Sequence, residues 1–361
     1  VAQPGSAFVW GTKGRRFKSG HSDHFFQCRS KPQRTDRLDS APSDPVPAEL
    51  ALIKENLVRW PQARGGEVTL INLSENHTFR IDMPNGLRMA LRLHRPRYQS
   101  RNAIGSELAW LEAITDQTDI PVPRPIPGAD GEIVQEVAPD RFAALFAFER
   151  GEPPSEEGDL TGLFTTLGRY AATLHKHVAE WQQPEKFVRP IWDAAGILEP
   201  DSPWGDWRKA PHAEGETRET LEVLDVRLRE DLRAYGTDID RFGLIHADMR
   251  LGNLLVDADE VLLLDFDDSG FGWFMYDLAA SLSFIETSPQ VPALVRAWLA
   301  GYLEVRPLKP EDIRMIDAMI LLRRMALLAW IGSHGETTLA QRHADRFALD
   351  TATMARKYLS R

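Results

Sequence analysis

The sequence predicts an α+β protein of two lobes, with a small antiparallel-sheet N-lobe followed by a larger, mainly helical C-lobe. Three observations carry this. Short apolar runs bounded by turn residues follow one another from Glu67 to Phe148, and from Leu160 onward the apolar residues recur at helical spacing. Between the two textures lies Glu149-Arg150-Gly151-Glu152-Pro153-Pro154, a turn-rich crossing. The expected division is therefore a poorly ordered arm over 1–47, an N-lobe over 48–150 and a C-lobe over 151–361.

The 361 residues suffice for two lobes, and a hydrophobic content of 43% is ordinary for a globular chain. A net charge of −10 argues against a general nucleic-acid binder, which would present a basic face. Cys28 is the single cysteine, so an intrachain disulfide is impossible and a reducing compartment is expected. Ala7–Trp10 is too short for a secretory apolar region, and Ala318–Ile331 is shorter than a membrane span and interrupted by Arg323 and Arg324. The chain is expected to be cytoplasmic, with that run a buried helix.

In order along the chain, 1–47 is rich in Gly, Ser, Pro and Arg and carries no sustained period. Ala48–Trp60 reads as a helix. Glu67–Asn72, Thr78–Asp82 and Leu87–Leu93 read as an antiparallel meander, followed by the stiff extended Ile120–Pro125 and by strands at Glu132–Glu136 and Arg141–Phe148, about five in all. The loop Ser74-Glu75-Asn76-His77 has no glycine, so it makes no backbone-only phosphate cradle. Either Ser74 and Asn76 meet a nucleotide or the loop is an ordinary turn. Arg92, in M-A-L-R-L, stands where a phosphate-binding cation is placed in the third strand of a kinase N-lobe, and Glu107, on the helical run that follows, is its expected partner, with Glu112 the alternative. If ATP binds, the backbone near Phe146–Phe148 meets the adenine edge.

The C-lobe opens with a helix over Leu163–Ala179, whose His175 reads as a core or loop-anchoring histidine. An irregular stretch, 181–211, carries Trp192, Trp204 and Trp207, which either line a pocket or pack. Thr217–Tyr235 is a charged amphipathic helix, and further helical runs lie near Pro292–Tyr302, Glu311–Ile331 and Leu339–Leu359. Arg323, Arg324, His334 and Glu336 either face an acceptor or are exposed or internally paired.

The chemistry is concentrated between Leu244 and Asp277. His246, Asp248 and Asn253 form H-x-D-x-x-x-x-N, the order of a phosphoryl-transfer loop in which the Asp accepts the substrate hydroxyl proton and the Asn holds a metal. Leu254–Val256 and Val261–Leu264 flank a polar turn and read as a hairpin that brings Asn253 and Asp265 together around one ion. A carboxylate saturated by metal is a poor proton acceptor, so base and metal ligands must be separate groups. Arg250, two residues after Asp248, is expected to neutralise charge on the transferred phosphoryl. Asp267 is a further metal ligand, direct or through water, or a substrate contact. Asp277 is expected to cap or brace the His246 loop.

These motifs together resemble the aminoglycoside phosphotransferase and choline kinase superfamily, which includes type II homoserine kinase and the bacterial stress-response kinase. The likeness runs from about Glu67 to Leu359. It rests on A-L-R-L with Glu107, on P-V-P-R-P, on L-G-R-Y-A-A-T-L-H, and above all on H-A-D-M-R-L-G-N and L-L-L-D-F-D-D-S-G-F-G-W-F-M-Y-D-L-A. It implies a protein-kinase-like fold with ATP in the cleft between lobes, Mg²⁺ at Asn253 and Asp265, Asp248 as base and Arg92 as phosphate clamp. Two positions depart from the family: Arg92 stands where Lys is usual, and His246-Ala247-Asp248 replaces H-G-D, a small change because Ala also fits a tight turn. Residues 266–276 are too few for a long regulated activation segment. A small hydroxyl-bearing acceptor, an amino alcohol, a homoserine-like amino acid, an aminoglycoside or a sugar, is thus expected, the alternatives being a compact bacterial Ser/Thr protein kinase and a non-catalytic nucleotide-binding scaffold.

Overall fold

A computed structural model describes residues 45–73, 76–96, 99–258 and 260–361. The N-lobe contains α1 (Pro45–Asn56), β1 (Glu67–Leu73), β2 (His77–Asp82), β3 (Arg88–Leu93), α2 (Arg101–Gln117), β4 (Pro125–Ile126), β5 (Gln135–Ala138) and β6 (Arg141–Ala147). Its antiparallel sheet runs β1-β2-β3-β6-β4, and β5 shares the outer edge of β6 with β4. The sheet has six strands among the described residues because Pro125–Ile126, expected only to be extended, pairs with β6. The arm expected over 1–47 lies outside the described residues except for 45–47, which belong to α1.

Strand alternation decides where Arg92 points. Met89, Leu91 and Leu93 of β3, with Ala143 and Leu145 of β6, pack toward Ile53, Leu57 and Trp60 at α1. Ala90, Ala144 and Phe146 belong to the opposite layer, which includes Ile104, Leu108 and Leu111 of α2. Arg92 shares the parity of Ala90 and is paired in register with Ala144, so it is delivered to the α2 side. Ser100 caps α2, accepting from the Ala103 amide at 3.2 Å.

The C-lobe continues with α3 (Thr161–Glu180), β7 (Ile191–Trp192), α4 (Ala194–Leu198), α5 (Gly215–Tyr235), β8 (Phe242–Ile245), β9 (Leu254–Asp257), β10 (Glu260–Leu263), β11 (Gly270–Trp273), α6 (Phe274–Ser281), α7 (Val291–Leu303), α8 (Pro310–Arg314), α9 (Ile316–Ser333), α10 (Thr338–His343) and α11 (Phe347–Leu359). The helical runs expected near Glu311–Ile331 and Leu339–Leu359 are present, each divided into two helices. The stretch 181–211 is not wholly irregular, since it contributes β7 and α4, and Trp192, Trp204 and Trp207 are all buried.

Two glycines set the C-lobe packing. A Cβ on Gly168 of α3 would lie 1.9 Å from the Trp298 carbonyl oxygen, and one on Gly301 of α7 would lie 1.9 Å from that of Thr165, so each helix admits the other's backbone. Helix α9 is apolar on nearly all sides and buried, as its sequence suggests, with Arg323 and Arg324 inside the lobe. Among the described residues no helix is long and apolar enough to cross a membrane.

Candidate active site

Strand β8 ends at Ile245 and pairs antiparallel with β11, so residues 246–253 emerge beside 265–269. Hairpin β9–β10 pairs Leu254 with Leu263, and the Leu264 amide donates to the Asn253 carbonyl at 2.9 Å. The expected hairpin is present, and its open end places Asn253 beside the residue preceding Asp265. Asp265 itself adopts φ +60°, a left-handed turn into the loop that follows.

The turn at His246 is braced from below. Asp277 accepts from the Ala247 amide at 2.7 Å, from the His246 amide at 3.2 Å and from His175 Nε2 at 3.0 Å. Tyr302 Oη lies 3.0 Å from the other His175 nitrogen, and Phe274 stacks on the ring. His246 joins the two halves of the site, with Nε2 donating to the Leu264 carbonyl at 3.0 Å and Nδ1 accepting from the Asp248 amide at 3.2 Å. Ala247 does not fit its turn freely. It adopts φ +66°, a left-handed conformation that is costly with a Cβ and open to Gly, so the Ala in H-A-D is held by Asp277 against a local preference.

Asp248 is buried and held from three sides. One oxygen meets Arg323; the other accepts from Asn253 Nδ2 at 2.6 Å and from Arg250 Nε at 3.2 Å. Burial alone would raise its pKa, but Arg323 and Arg250 outweigh it and hold the carboxyl below the usual range. Arg323 also donates to the Ala247 carbonyl at 3.1 Å and to Ser283 Oγ at 2.9 Å, and lies over the Trp204 ring. Of the four residues named as facing an acceptor, Arg323 alone meets Asp248. Arg324 pairs with Glu286, His334 stacks on Trp330, and Glu336 is exposed.

Asn253 spends its amide nitrogen on the carbonyl and carboxylate of Asp248, which leaves Oδ1 buried with no hydrogen-bond donor among the described residues. Burial, with Asp267 beside it, pushes the Asp265 carboxyl well above the usual range despite Arg92. An orphaned amide oxygen and a carboxylate crowded by like charge form an all-oxygen donor set that suits a hard divalent cation. No cluster of three or more His, Cys, Asp or Glu side chains with metal-site geometry occurs among the described residues. A hard divalent cation would need only one or two protein ligands here, where a substrate phosphate could supply others.

Arg92 donates to Glu107 at 2.6 Å, both side chains are essentially unexposed, and the guanidinium lies 5.3 Å from the centre of the Phe146 ring. Glu112, the alternative partner, is exposed. Arg92, Glu107, Phe146, Asp265 and Phe266 line one recess, so the N-lobe pair and the Asp265 loop face a common space. Phe148, just past β6, lines a second cleft with Leu255 and Leu262, rimmed by Glu149, Arg150, Asp257 and Glu260. Ser74 lies outside the described residues. Asn76 donates to Asp267 at 3.0 Å and Gln99 donates to the other Asp267 oxygen at 2.8 Å, so this carboxylate bridges the lobes.

Burial lowers the pKa of His94, His175 and His246, and pushes that of His343, beside Arg342 and Arg324, down to about 4. An unfolded chain takes up protons at these rings near pH 6.5, about the unperturbed value, while the folded chain does not. Stability conferred by the neutral rings is therefore present above about pH 6.5 and lost as pH falls toward their folded values. Urea midpoints should decline through that window. Constant midpoints down to about pH 5 would contradict the assignment.

The Phosphotransferase enzyme family model matches residues 67–310. The structure of a microcompartment-associated aminopropanol kinase superposes with a TM-score of 0.79 and 36% identity, covering 86% of this chain and 98% of that one. Amicoumacin kinase of Bacillus subtilis (strain 168) is 26% identical over 276 residues, 72% of this chain and 78% of the relative. The amicoumacin kinase hAmiN, solved with AMP-PNP, Ca²⁺ and Ami, superposes with a TM-score of 0.69 at 19% identity over 85% of this chain and 95% of that one, a likeness of fold.

Proposed function

The chain belongs to the phosphotransferase enzyme family, and from that premise we infer that it transfers the γ-phosphoryl of ATP to the hydroxyl of a small amino alcohol. The observation carrying the assignment of residues is that Arg92, Glu107 and Asp265 line one recess, while Asn253, bonded to the buried Asp248, accepts from the amide of Leu264 next to Asp265. The choice of acceptor is supported by the 36% identity to an aminopropanol kinase.

Asn253 and Asp265 are the residues to hold Mg²⁺, which when bound supplies positive charge to the triphosphate oxygens. Arg92, aimed by Glu107, grips phosphate oxygens bidentately where a Lys would act as a point charge. Phe148, with Leu255 and Leu262, encloses the base. Asp248 orients the acceptor hydroxyl and takes its proton as the new P–O bond forms and the bond from the γ-phosphorus to the β–γ bridging oxygen breaks, releasing ADP; because the transition state is loose, a carboxylate of low basicity suffices. Arg250 neutralises the transferred phosphoryl. Asp267, with both oxygens taken by amides, draws the lobes together over the nucleotide.

The test is a panel of amino alcohols, hydroxy amino acids, aminoglycosides, sugars and a generic protein acceptor, run with γ-labelled ATP and Mg²⁺. Label on an amino alcohol is expected. Label on protein alone would favour the compact protein-kinase reading, and ATP binding without transfer to any acceptor would favour the scaffold.

A further inference from the structure

Arg189 lies in the connection between α3 and β7, outside every motif that describes phosphoryl transfer, yet its guanidinium is almost fully buried against two of the site's supports. Nε donates to the Ser269 carbonyl at 2.6 Å, Nη1 to the Ala103 carbonyl at 3.0 Å, and Nη2 to the carbonyls of Phe266, at 3.2 Å, and Asp267. Ala103 belongs to α2, the helix of Glu107; the other three carbonyls belong to the loop that follows Asp265. The adjoining Val188 amide donates to Ser106 Oγ, also on α2, at 2.8 Å. Beyond Arg189 the chain is fixed to the C-lobe, because the Pro190 carbonyl accepts from the Phe271 amide at 2.8 Å and β7 runs parallel to β11.

A cation buried on carbonyls alone is costly, and among the described residues no carboxylate bonds this guanidinium. Burial lowers the Arg189 pKa; the negative charge of Glu107, Asp267 and Asp268 offsets part of this, and Arg92 adds to it. The arrangement needs a planar fork reaching two elements at once, which an ammonium does not provide. It acts beside other ties between α2 and this loop: Phe266 meets Trp110 of α2 edge-on with ring centres 5.4 Å apart, and Gln99, just before α2, donates to Asp267 at 2.8 Å.

We propose that Arg189 is a positioning residue that pins α2 to the loop 266–269, keeping the Arg92–Glu107 pair and Asp265 on one recess before any nucleotide arrives. This rests on the nucleotide and metal roles inferred above. In consequence the site is assembled permanently, without a regulated segment to align it.

The experiment compares wild type, Arg189→Met and Arg189→Lys as full chains, by calorimetric binding of a non-hydrolysable ATP analogue with Mg²⁺ and by amide hydrogen exchange. Arg189→Met should weaken analogue binding by about 10- to 100-fold, the usual range for groups that orient metal ligands. Exchange should quicken over 101–117 and 265–269 while α5 and α9 keep their protection. Arg189→Lys should recover part of the affinity. Wild-type affinity and wild-type exchange of α2 in the Met variant would overturn the proposal, as would uniform loss of protection across both lobes. If the Met variant does not fold, the Lys variant decides: wild-type affinity and α2 exchange in it overturn the proposal, and a partial loss confined to the two segments supports it. Failure of the wild type to bind the analogue would instead strike the nucleotide reading, and the exchange pattern would still decide the pinning.

Discussion

Asp248→Asn should leave a folded chain that binds ATP and transfers phosphoryl about 10²- to 10⁴-fold more slowly, the span attributed to a positioned proton acceptor. The substitution keeps the shape and still offers Oδ1 to Arg323 or to Asn253, so the braced turn at Ala247 survives. What is lost is the group that takes the hydroxyl proton, together with the negative charge between two buried guanidinium groups. Weakening those charge-assisted bonds should cost roughly 1–3 kcal/mol of stability, so turnover must be read below the variant's unfolding midpoint. ATP affinity from calorimetry beside turnover from labelled transfer separates the roles. Turnover equal to wild type would remove Asp248 from the chemistry.

The second large effect is on the fold. Glu107→Ala leaves Arg92 buried without its carboxylate, which should destabilise by about 3–5 kcal/mol as well as abolish tight nucleotide binding. The double variant Arg92→Met with Glu107→Leu removes both charges and should regain most of that stability, since replacing a buried pair by apolar side chains is often neutral. It should not regain nucleotide binding. Urea unfolding and analogue binding on the three proteins distinguish a pair kept for function from one kept for stability. Recovery of both properties in the double variant would mean that Arg92 does not touch phosphate.

Much of this architecture is legible in the sequence because it is local. Two apolar runs around a polar turn define the β9–β10 hairpin, and period-two alternation through Ala90, Leu91 and Arg92 sends the guanidinium toward α2, which carries Glu107. Asp277 as the brace of the His246 turn follows in the same way from a carboxylate at the start of an apolar helix. What escapes the sequence is long-range. Arg323 meets Asp248 from 75 residues away, and its only sequence sign is a pair of arginines inside an otherwise apolar helix, a pattern that suits Arg324 equally well although Arg324 serves a separate pair with Glu286. Asp267 reads as a metal ligand from its place beside Asp265, but its oxygens are engaged by Asn76 and Gln99, whose approach depends on how the lobes close. The strain at Ala247 is likewise invisible until the backbone is seen, because a small side chain in a tight turn looks permissive.

A crystal structure with a non-hydrolysable ATP analogue and Mn²⁺ tests the central assignment most directly. The account predicts an ion bound to Asn253 Oδ1 and an Asp265 oxygen, with Arg92 on the triphosphate and Asp248 facing the γ-phosphoryl. An ion held elsewhere, or a nucleotide outside the recess shared by Arg92 and Asp265, would contradict it.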